Sequence, residues 1–366
     1  MPTIQDVARE AGVGVGTVSR VLGGGRLVSP TTRGRVDAAV ERLGYRANPV
    51  ARALRRGRTQ TLAVVVPLST PYFFIEVLRG VEAALGPTDH ALVLRTVERA
   101  ADRDRAFLDP GAAGRAEGVL IVSLTPTRGQ AARLRAAGRP VALVDGADRR
   151  LPSVTVDHAA AAAAAVDHLL RLGHRRIALI DHADDPLHRA APAARRAGYR
   201  ATLAAAGVEP RPDYQRPAAF TPEAGATAAD ALLSLPEPPT AVFAGSDAQA
   251  LGVIDAARAR GRRVPDDLAV VGYNDIEIAP FLGLTTVRVP MREMGRRAID
   301  LLLAAIEDPG APPAQVRLPV ELVVRRTSGA AGRADAGPPD APTSTAGVDR
   351  TPLGRRRGGD AGAAVC

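Results

Sequence analysis

Between Leu62 and Val324 short apolar runs alternate with stretches of helical spacing, and this alternation restricts the fold more than any other feature of the chain. TLAVVVPL, ALVLRTV, GVLIVSL and PVALVDG read as buried strands, and IALIDH, TAVFAGSD and LAVVGYND repeat the theme further on. Strands separated by helices in this way build parallel sheets flanked by helices, and the two groups of runs suggest two lobes. Ligands of such sheets bind at the carboxyl ends of the strands.

The chain has 366 residues, 46% of them hydrophobic, which supports two or three folded units and argues against disorder throughout. Its one cysteine, Cys366, cannot make a disulfide framework or a thiolate metal cluster, and a reducing cytoplasm is expected. No apolar run approaches the roughly 20 residues of a membrane span. The opening MPTIQDVARE lacks a basic-then-apolar leader, so the expectation is a protein neither exported nor embedded. All 48 basic residues are arginine, which codon bias in an Ala-, Gly- and Pro-rich chain explains.

The first sixty residues hold eleven arginines against four acidic side chains, +7 of the formal +9. That imbalance puts nucleic acid first among the expected partners. Thr3 can cap a helix, with Asp6 completing a capping box, Ile4, Val7, Ala8 and Ala11 forming its apolar stripe and Gly12 ending it. A second helix from Val15 to Leu22 turns Val18, Val21 and Leu22 inward and leaves Gly16, Thr17, Ser19 and Arg20 outside. A third starts at Ser29 and Pro30, packs Val36, Ala39, Val40 and Leu43, and ends at Gly44. Two helices about a tight turn, braced by a third, make a helix-turn-helix unit; a plain three-helix bundle with a solvated charged face is the alternative. Gly12, Gly14 and Gly16 lack the GxGxxG spacing and follow no strand, which excludes a dinucleotide loop.

TIQDVAREAGVGVGTVSRVL, followed by VSPTTRGRVDAAVERLGYRANPVARALRRGRT, resembles the headpiece of the lactose-repressor (LacI/GalR) family of transcription regulators from Thr3 to Thr59. The resemblance implies that Val15, Gly16 and Arg20 read base edges in the major groove, with Thr17 and Ser19 near phosphates. An arginine donating two hydrogen bonds to guanine discriminates by about 1 to 3 kcal/mol. Gly14 stands where the family has a capping Ser, and Gly23 where it has Asn. The Gly cap costs a few tenths of a kcal/mol and Gly16 inside the helix about 1 kcal/mol. Asn48 and Pro49 can start a helix reaching only to Leu54, too short to be stable alone. In the family two such hinges fold together in the minor groove, where a leucine corresponding to Leu54 wedges between base pairs. Arg52, Arg55, Arg56 and Arg58 supply charge suited to phosphate.

The resemblance continues through LGHRRIALI, RRAGYRATLAAAGV, PTAVFAGSDAQALGV and VPDDLAVVGYNDI to the family core, which is similar to periplasmic sugar-binding proteins. It implies an effector cleft using Phe73, Phe74, Asp157, Arg195, Phe220, Asp247 and Asn274, a set of aromatic, carboxylate, amide and guanidinium groups suited to a polyhydroxylated or ring-bearing molecule. Core packing is the alternative for each aromatic alone. Asn274 replaces an Asp common in relatives, and Pro110 with its neighbouring glycines predicts a broken helix near FLDPGAAG. Five of the six histidines, His158, His168, His174, His182 and His188, lie close together in sequence but form no HxxxH pair, which argues against a metal site. No catalytic triad order or P-loop is present, so neither an enzyme nor a cofactor is expected.

The expected architecture is an N-terminal all-α helix-turn-helix headpiece with a hinge helix, followed by a two-lobed α/β periplasmic-binding-protein-like core. Its expected divisions are residues 1–47, a hinge at 48–60, an effector-binding and dimerisation core at 61–328 and a disordered tail at 329–366. Such a protein would be a cytoplasmic regulator, a repressor first of all, binding a pseudo-palindromic operator as a homodimer under control of a small molecule. A carbohydrate or its phosphate is the first effector expected and a nucleoside or purine the second. The competing class is a solute-binding protein without a DNA function.

Overall fold

Capping chemistry sets the ends of the first three helices. The computed structural model describes residues 2–23, 28–45, 59–67, 71–86, 88, 90–108, 116–182, 187 and 190–329. In α1 (Ile4–Ala11) the Thr3 hydroxyl accepts the Asp6 N–H at 3.3 Å while the Asp6 carboxylate accepts the Thr3 N–H at 2.8 Å. Gly12 closes the helix with φ 62°, a left-handed conformation that costs a glycine little. Next comes α2 (Val15–Leu22), whose cap Gly14 offers no side-chain hydrogen bond. In α3 (Pro30–Leu43) the Ser29 hydroxyl accepts the Thr32 N–H at 3.3 Å. Val7, Ala8, Ala11, Val18, Val21, Val36 and Ala39 are buried against one another, with Val40 and Leu43 half-buried at the rim.

The remaining elements build two parallel sheets. The first lobe is laid down as β1 (Thr61–Val66), α4 (Pro71–Leu85), β2 (Ala91–Thr96), α5 (Ala100–Leu108), β3 (Gly118–Val122), α6 (Arg128–Ala136), β4 (Val141–Val144) and β5 (Ser153–Thr155). The second follows as α7 (His158–Arg171), β6 (Ile177–Asp181), α8 (Ala190–Ala205), β7 (Gln215–Pro217), α9 (Pro222–Leu233), β8 (Ala241–Ala244), α10 (Asp247–Ala259), β9 (Ala269–Asn274), α11 (Ala279–Leu282) and β10 (Thr285–Arg288). The chain then returns through α12 (Met291–Glu307) and β11 (Gln315–Arg317) to the first lobe and finishes in the second with β12 (Glu321–Val323).

The sheet orders are β11-β5-β4-β3-β1-β2 and β12-β10-β9-β8-β6-β7, and only the β10–β12 pair is antiparallel. Leu62 sits opposite Leu92 and Gly118, and Ala241 opposite Ile177 and Ala269. The central strands β1, β3, β4, β6, β8 and β9 are buried almost end to end, because helices cover both faces. Strand β2 differs: it is an edge strand, with Leu92, Val93 and Leu94 exposed.

Two glycines bring α4 and α12 together. A Cβ on Gly295 would lie 2.1 Å from the Val77 carbonyl oxygen, and one on Gly80 would lie 1.9 Å from that of Arg292. All seven expected strands are present, whereas β5, β7, β10, β11 and β12, each three or four residues long, escape the periodicity argument. The helix before Pro110 ends at Leu108, and the break expected near Pro110 lies outside the described residues, as do the hinge around Asn48, Leu54 and Arg55, His188 and the tail beyond residue 329.

Candidate nucleic-acid interface and effector cleft

Helix α2 buries Val18 and Val21 against α1 and α3 and turns its other side to solvent. Val15, Gly16 and Arg20 are exposed there, and Thr17 and Ser19 are half-buried at its margins. Of the five α2 residues expected to meet DNA, Val15, Gly16 and Arg20 are thus exposed, while Thr17 and Ser19 border the packed face. Arg20 folds back along its own helix, its Nε donating to the Gly16 carbonyl at 3.2 Å. No carboxylate pairs with Arg20 among the described residues, while Asp6 and Glu10 are occupied by Arg9 and Arg42 at 3.2 and 3.3 Å. An unpaired guanidinium on an exposed helix face, held by one weak intrahelical contact, is free to swing toward an acceptor.

The second site lies where the carboxyl ends of both sheets face each other, around a small cleft open to solvent. Phe73 of α4, Ser123 after β3 and Asp145 after β4 line it from the first lobe. From the second come His158 at the start of α7, Ala191, Pro192 and Arg195 of α8, Phe220, Gly245, Ser246, Tyr273 and Asn274. Ser123, Asp145 and Asn274 adopt φ of 52°, 55° and 110°, values that residues with a Cβ rarely hold. Such conformations persist only where the surrounding packing holds them in place.

A hydrogen-bonded chain joins the lobes inside this cleft. Asp145 receives Ser123 Oγ at 2.9 Å and meets His158 Nε2 at 2.5 Å, and His158 Nδ1 meets the Tyr273 hydroxyl at 2.7 Å. Burial works to raise the Asp145 pKa, but the contacts with His158 and Ser123, together with the charge of Arg195, outweigh it and hold the carboxyl below its usual range. Arg195 is buried and grips Asp181 twice, Nε to Oδ2 at 2.9 Å and Nη2 to Oδ1 at 2.8 Å. Its guanidinium lies 4.8 Å from the Tyr273 ring centre and 5.7 Å from that of Phe220. Burial pushes the Tyr273 phenol upward, so it remains a donor.

Of the residues expected in this cleft, Phe73, Arg195, Phe220 and Asn274 are on its wall. Phe74, Asp157 and Asp247 are not. Phe74 is 1% exposed, packed in the core edge-to-face with Phe73 at 5.4 Å, because consecutive helix positions point in different directions. Asp157 caps α7, accepting the Ala160 N–H at 3.0 Å, and lies 3.4 Å from Arg317 Nη1. Asp247 is fully buried beneath the wall, accepting from Thr286 Oγ1 at 2.5 Å and from the Ile276 N–H at 2.8 Å. Sequence reasoning missed Ser123, Asp145, His158 and Tyr273, although Asp145 and Tyr273 fall at or just beyond strand ends, where ligands of such sheets collect.

Among the described residues no three His, Cys, Asp or Glu side chains come together as a metal ion would need, and no helix is long and apolar enough to cross a membrane. His168 contacts Ser328 and His174 contacts Thr240.

Comparisons with known proteins cover most of the chain. Residues 3–48 match the family model for bacterial regulatory proteins of the lacI family, and residues 166–328 match that for a periplasmic binding protein-like domain. Catabolite control protein A of Priestia megaterium is 33% identical over 331 residues, 89% of this chain and 99% of the relative. The lac repressor dimer bound to operator and the anti-inducer ONPF superposes with a TM-score of 0.79 at 29% identity, over 89% of this chain and 99% of that one. The transcriptional regulator CelR in complex with cellobiose gives a TM-score of 0.66 at 34% identity, over 89% of this chain and 100% of that one. The chain belongs to the LacI family of bacterial regulatory proteins.

Proposed function

We propose that the protein is a transcriptional repressor that grips a pseudo-palindromic operator as a homodimer and adjusts that grip when a small molecule enters the cleft between its lobes. The observation that carries this reading is the presence in one chain of an exposed, cationic α2 face and a strained, polar interlobe cleft. A solute-binding protein without a DNA function is not favoured, since residues 3–48 match a DNA-regulator family.

On this reading residues 1–47 are the DNA-binding unit, 48–60 the hinge, 61–328 the effector-binding and dimerisation core and 329–366 a disordered tail. Val15, Gly16 and Arg20 meet base edges, with Thr17 and Ser19 at phosphates. Because Gly16 has no side chain, Arg20 carries the main hydrogen-bond readout of α2. Asn48, Leu54 and Arg55 act in the hinge, which folds on minor-groove contact, Leu54 being the wedge. The effector, a carbohydrate first and a nucleoside or purine second, touches Phe73, Arg195, Phe220 and Asn274 together with Asp145, His158 and Tyr273. The cellobiose complex of the similar CelR supports the first choice. Dimerisation uses the exposed apolar side chains Tyr72, Ile75, Leu92 and Leu94 of the first lobe and Ile278 and Phe281 of the second, Phe281 being 85% exposed. The site of action is the cytoplasm, where the operator is.

Effector and operator affinities are then reciprocally linked: whatever factor the effector imposes on operator binding, the operator imposes on effector binding. Selection of genomic fragments by the full-length protein tests the reading. It should recover a shared two-fold motif, and recovery of unrelated fragments would reject it.

A further inference from the structure

We propose that Leu187 and Arg103 form a clasp that holds the two lobes together on the side opposite the chain crossings, so that the lobes part only when it releases. The proposal concerns the motion of the lobes and stands apart from what the cleft binds. The chain passes between the lobes three times, at residues 156–157, 289–290 and 318–320. Val156, Val289, Leu318 and Val320 of these segments pack into the apolar cluster that also takes Leu62, Val64 and Val66 of β1. Alternate residues of a strand face opposite sides, and Ala63 and Val65 belong to a separate cluster on the other face. The crossings are thus a hinge along one face of the first-lobe sheet.

Leu187 stands on the other face. It lies in the connection from β6 to α8, both second-lobe elements, yet its side chain is 2% exposed in the cluster of Val65, Phe107, Ile121, Leu124 and Leu134. Among the described residues, every other member of that cluster comes from the first lobe. The main chain is held as well. Arg103 of α5, 7% exposed, donates from Nε to the Leu187 carbonyl at 3.0 Å and from Nη2 to the Thr125 carbonyl at 2.8 Å, with its guanidinium 5.1 Å from the Phe107 ring centre. One buried side chain therefore ties a second-lobe main chain to a first-lobe one.

A rotation about the crossings moves the opposite face furthest, so opening of the lobes must draw Leu187 out of the first lobe's core. That exposes an apolar side chain and strips the Arg103 Nε–H of its acceptor in a buried place. Closure restores both contacts. The Asp145–His158 contact also spans the lobes, but it lies within the cleft. Ala191 and Pro192 of α8, just beyond Leu187 in the chain, line that cleft, so release of the clasp is felt at its wall.

The test is the distance between two spin labels on the full-length protein, measured by double electron–electron resonance. With Cys366→Ser to clear the native thiol, Ala132→Cys in α6 and Ala259→Cys in α10 put labels at exposed positions on helices that pack against the faces turned away from the crossings. The parent should show one dominant population. Leu187→Ala and, separately, Arg103→Met should each add a population at longer distance at its expense, whereas Leu187→Met, which still fills the apolar socket, should keep the parent distribution. Circular dichroism checks that each variant is folded, and Arg103→Met removes no side chain from the apolar cluster, so it reports even where Leu187→Ala is unstable. Parent distributions in the folded variants overturn the proposal, as does a parent that already populates both distances equally. Either result leaves the reading of the cleft as the effector site standing.

Discussion

Replacing Asp247 by Asn should change how stability depends on pH, and the size of the effect follows from the burial of one carboxyl. Asp247 is 0% exposed, accepts hydrogen bonds from Thr286 Oγ1 and the Ile276 N–H, and has its pKa pushed up by burial from 3.8 to about 7. Because the folded pKa is the higher one, the folded protein keeps a proton that the unfolded chain releases. The associated stability is fully present below about pH 4 and is lost as pH rises through about 7. Each pH unit across which the two states differ by one bound proton is worth about 1.4 kcal/mol, so the window from about pH 5 to 8 holds roughly 3 kcal/mol of this loss. An asparagine at this position carries no proton to lose. His168 and His174, whose pKa values burial lowers, act in the opposite sense, losing stability as pH falls, but they are common to both proteins and cancel in the difference. Urea unfolding followed by circular dichroism at pH 5, 6, 7 and 8 gives that difference directly. The Asn variant should gain about 3 kcal/mol on the parent across the series. A difference that stays flat would refute the burial argument and return Asp247 to the candidates for direct effector contact.

Other consequences follow from the same geometry. Arg20→Ala should remove about 1 to 3 kcal/mol of operator preference per half-site while leaving binding to random duplex largely unchanged, as a mobility-shift titration against both DNAs would reveal; equal operator affinity for variant and parent would reject base reading by Arg20. Leu54→Ala should reduce the bend in bound operator seen by circular-permutation mobility, and an unchanged bend removes the wedge. Gly295→Ala forces a methyl group to within 2.1 Å of the Val77 carbonyl oxygen. It should lower core stability by about 1 to 3 kcal/mol in urea, and an unshifted midpoint would contradict the close crossing of α4 and α12.

Much of the architecture is legible in the sequence because its signals are local. Strands such as TLAVVV and VALV are apolar at successive positions, and Thr3 with Asp6, Ser29 with Pro30, Gly12 and Gly44 announce helix ends within a few residues. Strands β5, β7 and β10 to β12 are invisible for the opposite reason, since SVT, QRP, TTVR, QVR and ELV are short and carry no unbroken apolar run, so only their neighbours make them strands. The cleft divides along the same line. Asp145 and Asp247 each follow an apolar strand closely, in VDG and GSD, and nothing local says that one faces the cleft while the other is sealed beneath it. That depends on where Thr286 and Ile276 arrive from later in the chain. His158 gains meaning only when Asp145 and Tyr273 reach it from different sheets.

Competition on DNA tests the central claim most directly. Fluorescence anisotropy of a labelled operator duplex, chosen from the recovered genomic motif and titrated with full-length protein at moderate salt beside excess random duplex, measures the preference itself. The account predicts binding to operator at least about a thousandfold tighter than to random sequence, with an apparent affinity that moves when a cleft-binding effector is added. Equal affinity for operator and random duplex would contradict it.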